Sequence, residues 1–196
     1  MKSKNLLFSF LLFASFIINS QEKHIYSYEV SKENPFGKYN PVAPKQVQDF
    51  KDLIGECYCK SESRKPDGSW SKSVDMIWRW KYIMNGTAVQ DETLKADGKH
   101  SGSIRQFDKD SLQWNVHYYS STITSPLNFW KGNKNKDGTI VLYKEQKAPN
   151  GTNGFSRLTF YDINKDGYKW IGEWVDTSEK ISYPFWKITC VKKKTK

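Results

Sequence analysis

Asp162, Asn164, Asp166, Gly167 and Glu173 follow one another at the spacing D-x-[DN]-x-[DN]-G-x5-E of a calcium-binding EF-hand loop. Oxygen ligands at alternate positions and a distal carboxylate are what a hard divalent cation requires. Such a loop also needs a helix on each side, whereas residues 155–161 and 168–174 alternate apolar and polar like strands. On an extended chain Glu173 would lie roughly 20 Å beyond Asp166, at about 3.3 Å per residue, too far along to share an ion. The stretch therefore reads as a β-hairpin turn, with Asp162, Asn164 and Asp166 left as the residual metal candidates.

Other reactive side chains are scattered. Asp91, Glu92 and Glu173 could pair for hydrolysis, but their spacing does not specify it. The chain has no nucleophile elbow, zinc-binding His pair, phosphate loop or Cys–His pairing. His24, His100 and His117 show no ligand spacing with the cysteines. The sequence thus points to no catalytic residue and no cofactor. Arg105 and Arg157 sit within aromatic-rich runs, where a guanidinium could hold a carboxylate head group in bidentate fashion. Arg79 lies between Trp78 and Trp80, so by parity it faces the other way.

The aromatic residues are the stronger signal. There are eight Trp in 196 residues. Over residues 74–84, Val74, Met76, Trp78, Trp80, Tyr82 and Met84 share one face of a strand, with Asp75, Arg79 and Lys81 on the other. Residues 111–121 repeat the pattern through Leu112, Trp114, Val116 and Tyr118, and residues 168–174 do so through Tyr168, Trp170 and Trp174. Inward rings on several strands predict an aromatic-lined cavity for an apolar ligand.

Positioning those rings requires many strands and almost no helix. Further strand-like runs cover residues 53–60, 88–95, 103–107, 127–130, 139–145, 155–163 and 185–191. About ten strands separated by turn signals predict an all-β antiparallel sandwich or barrel. Four Asp-Gly pairs, at Asp67, Asp97, Asp137 and Asp166, mark tight turns between them. The one helical stretch spans residues 44–54, with Val47, Phe50 and Ile54 at helical intervals and Pro44 at its start. It is short enough to be a lid or plug. Residues 21–43, with Pro35, Gly37 and Pro41, read as an extended leader.

The ends speak to compartment. Lys2 and Lys4 precede an apolar run of about 13 residues, too short for a spanning helix, and Ser20 supplies a small residue for cleavage: residues 1–20 read as a signal peptide. Export follows, to periplasm or medium. Cleavage would remove two of the 31 basic residues and none of the 21 acidic ones, leaving a modest, dispersed positive excess. An exported protein seldom meets nucleic acid, so membrane surface or polysaccharide is the more fitting basic-face partner. Export also permits disulfides. Cys57 and Cys59 point to the same strand face and are poorly placed to bond each other. Cys190 could bridge to either if the first and last strands are neighbours.

The segments "LIGEC", "WRWKYIMNGTAVQDE", "SIRQFD" and "FYDINKDGYKWIGEW", between Leu53 and Val191, resemble the calycin superfamily of lipocalins and fatty-acid-binding proteins, most closely an uncharacterised family of exported bacterial calycin-like proteins. That resemblance implies a single up-and-down antiparallel barrel of about 8–10 strands over residues 44–196, opened by a short helix, holding one small ligand. Gly55-Glu56-Cys57 stands where lipocalins usually carry Gly-x-Trp, so the standard Trp plug at the barrel base is missing. Haem-binding members use an axial His, and no His here matches that role. The sequence thus reads as an exported barrel binding a small, largely hydrophobic, lipid-like ligand through Trp78, Trp80, Tyr82, Arg105, Trp114, Tyr118, Arg157, Trp170 and Trp174. The alternatives are an envelope module binding glycan or protein through surface aromatics, and a hydrolase.

Overall fold

The computed structural model describes residues 25–124 and 128–193. The expected signal peptide, residues 1–20, lies outside the described residues. Ten strands follow in order: β1 (Gly55–Ser63), β2 (Val74–Ile83), β3 (Ala88–Lys95), β4 (Ser101–Asp108), β5 (Gln113–Ser120), β6 (Phe129–Lys134), β7 (Ile140–Glu145), β8 (Gly154–Asn164), β9 (Gly167–Asp176) and β10 (Ser182–Lys192). Each pairs antiparallel with its neighbours in sequence, and β10 returns to β1 to close the barrel. Closure leaves no free sheet edge for another chain to pair with.

Period-two patterning sets which side chains enter. In β2 the buried row is Met76, Trp78, Trp80 and Tyr82, as the alternation predicts. The expected row was one residue too long in two places. Met84 and Leu112 are exposed and adopt positive φ in the turns flanking β2 and β5, so the turn conformation carries each away from the inner face.

Three of the four Asp-Gly turns share one construction. The carboxylates of Asp67, Asp97 and Asp137 each accept a hydrogen bond from the backbone N–H two residues on, and the following glycine has positive φ. The Asp166-Gly167 turn is different. There the Asn164 side-chain oxygen accepts the Asp166 N–H at 2.8 Å, and Gly167 is required for close approach: a Cβ would lie 2.0 Å from the Cys190 carbonyl oxygen.

One end of the barrel is plugged. The helical stretch is a 3-10 helix, Lys45–Phe50, continued as a turn in which Leu53 N–H bonds the Phe50 carbonyl. With three residues per turn, the buried face is Val47, Phe50 and Leu53, not the 47, 50, 54 set of an α-helix. Phe50 stacks on Trp80 at 5.6 Å and meets Trp114 edge-on at 4.8 Å. Phe50 thereby caps one end of the barrel interior. Residues 25–43 pack over the β2–β3 hairpin: Tyr28 N–H bonds the Asn85 side chain, Asn40 N–H bonds the Gly86 carbonyl, and Tyr82 N–H bonds the Phe36 carbonyl.

Cys59 and Cys190 are directly opposite across the β1–β10 seam and form a disulfide spanning 131 residues of sequence. Cys57 remains a buried free thiol. The two seam strands are neighbours only because the barrel closes, so the bond covalently fastens the closure. No helix among the described residues is long and apolar enough to cross a membrane.

Candidate functional site

Above the Phe50 plug the inward rings climb as a connected ladder. Trp80 contacts Trp78 at 5.5 Å, Trp78 contacts Trp170 at 6.3 Å, and Trp170 contacts Trp186 at 5.0 Å. The ladder leaves a cavity of about 220 Å³ between the indoles and the opposite wall. Trp78, Trp130, Trp170, Trp186 and Phe160 form its apolar side, with Leu158 and Ile188. Asp91, Thr93, Ser101, Ser103 and Ser156 give it a polar strip, and exposed Ile123 marks its mouth. The small serines on β4 and β8, facing large rings on β2 and β9, are what leave the space open.

Beside the cavity floor lies a buried ion pair. Arg105 and Asp91 are each 3% exposed, and Arg105 Nη1 bonds Asp91 Oδ1. The second Asp91 oxygen accepts the Trp78 indole N–H at 2.8 Å. The Arg105 guanidinium carbon sits 4.4 Å from the Trp80 ring centroid and 5.2 Å from that of Phe50. Coulomb attraction, hydrogen bonding and ring faces together compensate a charge that would be prohibitive to bury alone. Arg105 Nε, itself buried, has no hydrogen-bond partner.

A second buried network lies between plug and seam. Trp80 donates its indole N–H to Tyr168 Oη at 2.9 Å. Burial holds the Tyr168 hydroxyl well above the usual phenol range, with Cys57 beside it adding to the effect. Burial likewise raises the Cys57 thiol, so that sulfur stays protonated and inert.

The expected site residues fall into three groups. Trp78, Arg105, Tyr118 and Trp170 line the cavity together. Trp80, Tyr82 and Trp114 are inward but lie at or below its floor. Trp80 is sealed under Phe50 and Arg105, Trp114 donates to Asp49 Oδ2 at 3.0 Å, and Tyr82 is covered by the leader segment. They pack the base and do not touch the cavity. The remaining two are corrections. Arg157 is on the outer face, paired with Glu173 at 2.9 Å and Glu179 at 2.6 Å, because Ser156 and Leu158 take the inward parity of β8. Trp174 has inward parity but closes over Gly154 at the rim and donates to the Gln146 carbonyl at 2.9 Å.

The structure does not bring the three acids Asp91, Glu92 and Glu173 together. Asp91 points inward, whereas Glu92 and Glu173 are outside with Arg79 and Arg157. In the calcium-like turn, Asp162 pairs with Lys169 at 2.9 Å and Asn164 braces the backbone. Among the described residues no group of three His, Cys, Asp or Glu is placed to hold a metal ion. Asp162, Asn164 and Asp166 all lie at the β8–β9 turn.

Sequence reasoning missed Asp91 as the partner of Arg105, although Asp91 and Trp80 are register neighbours across β2 and β3. It also missed Ser103 and Ser156. Their inward parity on β4 and β8 is readable, but nothing marks a small residue on such a face as cavity lining. A broader depression lies outside the barrel, lined by Tyr58, Ile77, Leu94 and Val191. It is an open apolar stripe over strands β3, β2, β1 and β10 and encloses nothing.

No protein-family model matches this chain. No curated protein matches it either.

Proposed function

We propose that this is an exported calycin-type binding protein that holds one compact, largely hydrophobic ligand inside its barrel. The observation that carries this reading is the indole-walled space of about 220 Å³ with a polar strip on one side. Interiors are normally packed with few voids larger than a water molecule, and a ten-strand barrel with this many large rings had the means to fill itself. Serines at 103 and 156, where a larger side chain would close the gap, leave room for a guest.

The volume limits the ligand. A dry cavity of about 150 Å³ takes a benzene-sized guest, so this one suits a tail of roughly ten heavy atoms. A lipid-like molecule fits only if its tail is short, branched or cyclic. Export rests on the expected signal peptide at residues 1–20 and agrees with the Cys59–Cys190 disulfide, which oxidising compartments favour.

Tryptophan fluorescence and calorimetric titration with apolar guests of increasing length test the reading. Affinity should peak for compact one- and two-ring molecules and fall for long straight chains. Ser103→Phe, which fills the cavity without removing a known hydrogen bond, should abolish binding while leaving the fold intact. Undiminished binding in that variant would place the ligand elsewhere.

A further inference from the structure

Arg105 was the natural carboxylate reader on sequence grounds, but its charge is spent on Asp91 and its face on Trp80. Next to two of the lining residues stands a different cation. In β7, Ile140 and Leu142 are buried on the inner face, and Lys144 continues that row. Lys144 pairs in register with Ser156, which lines the cavity. Its ammonium Nζ lies 4.3 Å from the Trp130 ring centroid and 3.5 Å from Asn128 Oδ1, and both of those residues also line the cavity. Trp130 is itself fixed by donating its indole N–H to Ser156 Oγ at 3.3 Å.

Lys144 stands out among the inward-facing charges. Among the described residues it belongs to no ion pair, whereas the buried Arg105 has Asp91 and the outer Arg157 has two glutamates. Partial burial alone lowers its pKa from the usual lysine value. A half-buried ammonium on an indole face, beside a neutral amide oxygen, retains donors that no ion pair uses. Such a group gains most when an anion arrives, because a charge-assisted hydrogen bond replaces water at a site already partly desolvated.

We propose that Lys144 binds the anionic head group of the ligand, and that the ligand class is a compact aromatic or alicyclic carboxylate. It enters tail first, with its ring among Trp78, Trp130 and Trp170 and its carboxylate at the mouth. Lys144 Nζ and the Asn128 side-chain amide hydrogens donate to the carboxylate oxygens, and no proton or bond is exchanged. This rests on the cavity reading above and adds to it the polarity and orientation of the guest.

The test compares phenylbutyrate with phenylbutanamide, its neutral isostere, by calorimetric titration of the full chain. The acid should bind about ten-fold more tightly than the amide, the usual scale for one charge-assisted hydrogen bond. Lys144→Gln should remove that preference, and Lys144→Arg should keep it. Equal binding of acid and amide by the unaltered protein, or an acid preference that survives Lys144→Gln, overturns the role of Lys144 while leaving the cavity reading standing. Binding of neither compound overturns both.

Discussion

The guanidinium carbon of Arg105 lies 4.4 Å from the centroid of the Trp80 indole. This contact joins the two halves of the barrel interior. Below it Trp80 is stacked on Phe50 and bonded to Tyr168. Above it the same arginine holds Asp91, which holds Trp78 at the cavity wall. The floor of the cavity is thus a charged layer between two aromatic layers. Its geometry is specified by directional bonds, where packing of rings alone would allow several arrangements.

Breaking that layer on one side should be far worse than replacing both partners. Asp91→Asn leaves Arg105 charged and uncompensated among rings, and should cost about 3–5 kcal/mol. The double variant Asp91→Leu with Arg105→Met should recover most of the loss, since a well-packed apolar pair can match a buried ion pair. Urea denaturation of the three proteins measures both effects. Equal destabilisation by the single and double variants would show that the pair contributes more than mutual charge compensation.

The seam disulfide closes a loop of 131 residues. Replacing both Cys59 and Cys190 with Ala should lower stability by about 4–5 kcal/mol in the chain-entropy account. The ten-strand pairing itself should persist, because the β1–β10 ladder pairs Cys57 through Ser63 with Lys192 through Trp186. Far-ultraviolet circular dichroism and denaturant midpoints in the oxidised, reduced and variant proteins check this. A reduced protein as stable as the oxidised one would contradict it.

Alkaline pH should unfold the barrel from its base. Burial raises the Tyr82 hydroxyl to about 12, with Asp52 and Tyr39 adding to the shift, and Tyr168 is raised in the same direction. An unfolded tyrosine titrates near 10. The folded state therefore binds the proton more tightly. The associated stability is fully present below about pH 10 and is lost as pH rises through about 12. Tyr82→Phe removes one such group, so its denaturation midpoint should fall less steeply over that interval than that of the unaltered protein. Parallel slopes would show that Tyr82 ionises without cost.

Much of this architecture was legible in the sequence because barrels are written in period two. Trp78, Trp80 and Tyr82 announce their face regardless of what lies opposite, and Asp-Gly pairs announce three turns of one construction. What was hidden depends on relationships between strands. Arg105 and Arg157 are alike in composition and neighbourhood, yet a one-residue difference in parity sends the first inside and the second out. The choice between Cys57 and Cys59 was open because both face inward. Register settles it, placing Cys59 opposite Cys190 and Cys57 opposite Lys192. The plug was legible as a helix but not as a 3-10 helix, since Leu53 and Ile54 are equally apolar and only the three-residue turn decides which is buried.

The most direct test of the barrel as a container is to see a guest inside it. Isotope-filtered nuclear Overhauser spectra of the protein with phenylbutanamide report which side chains touch the ring whether or not Lys144 reads a charge. Cross-peaks are expected to the indole protons of Trp78, Trp130 and Trp170, which surround the cavity. None is expected to Trp70, which is stacked with Arg64 and Lys187 outside. Cross-peaks confined to Trp70 and to the outer stripe at Tyr58 would contradict an interior binding site.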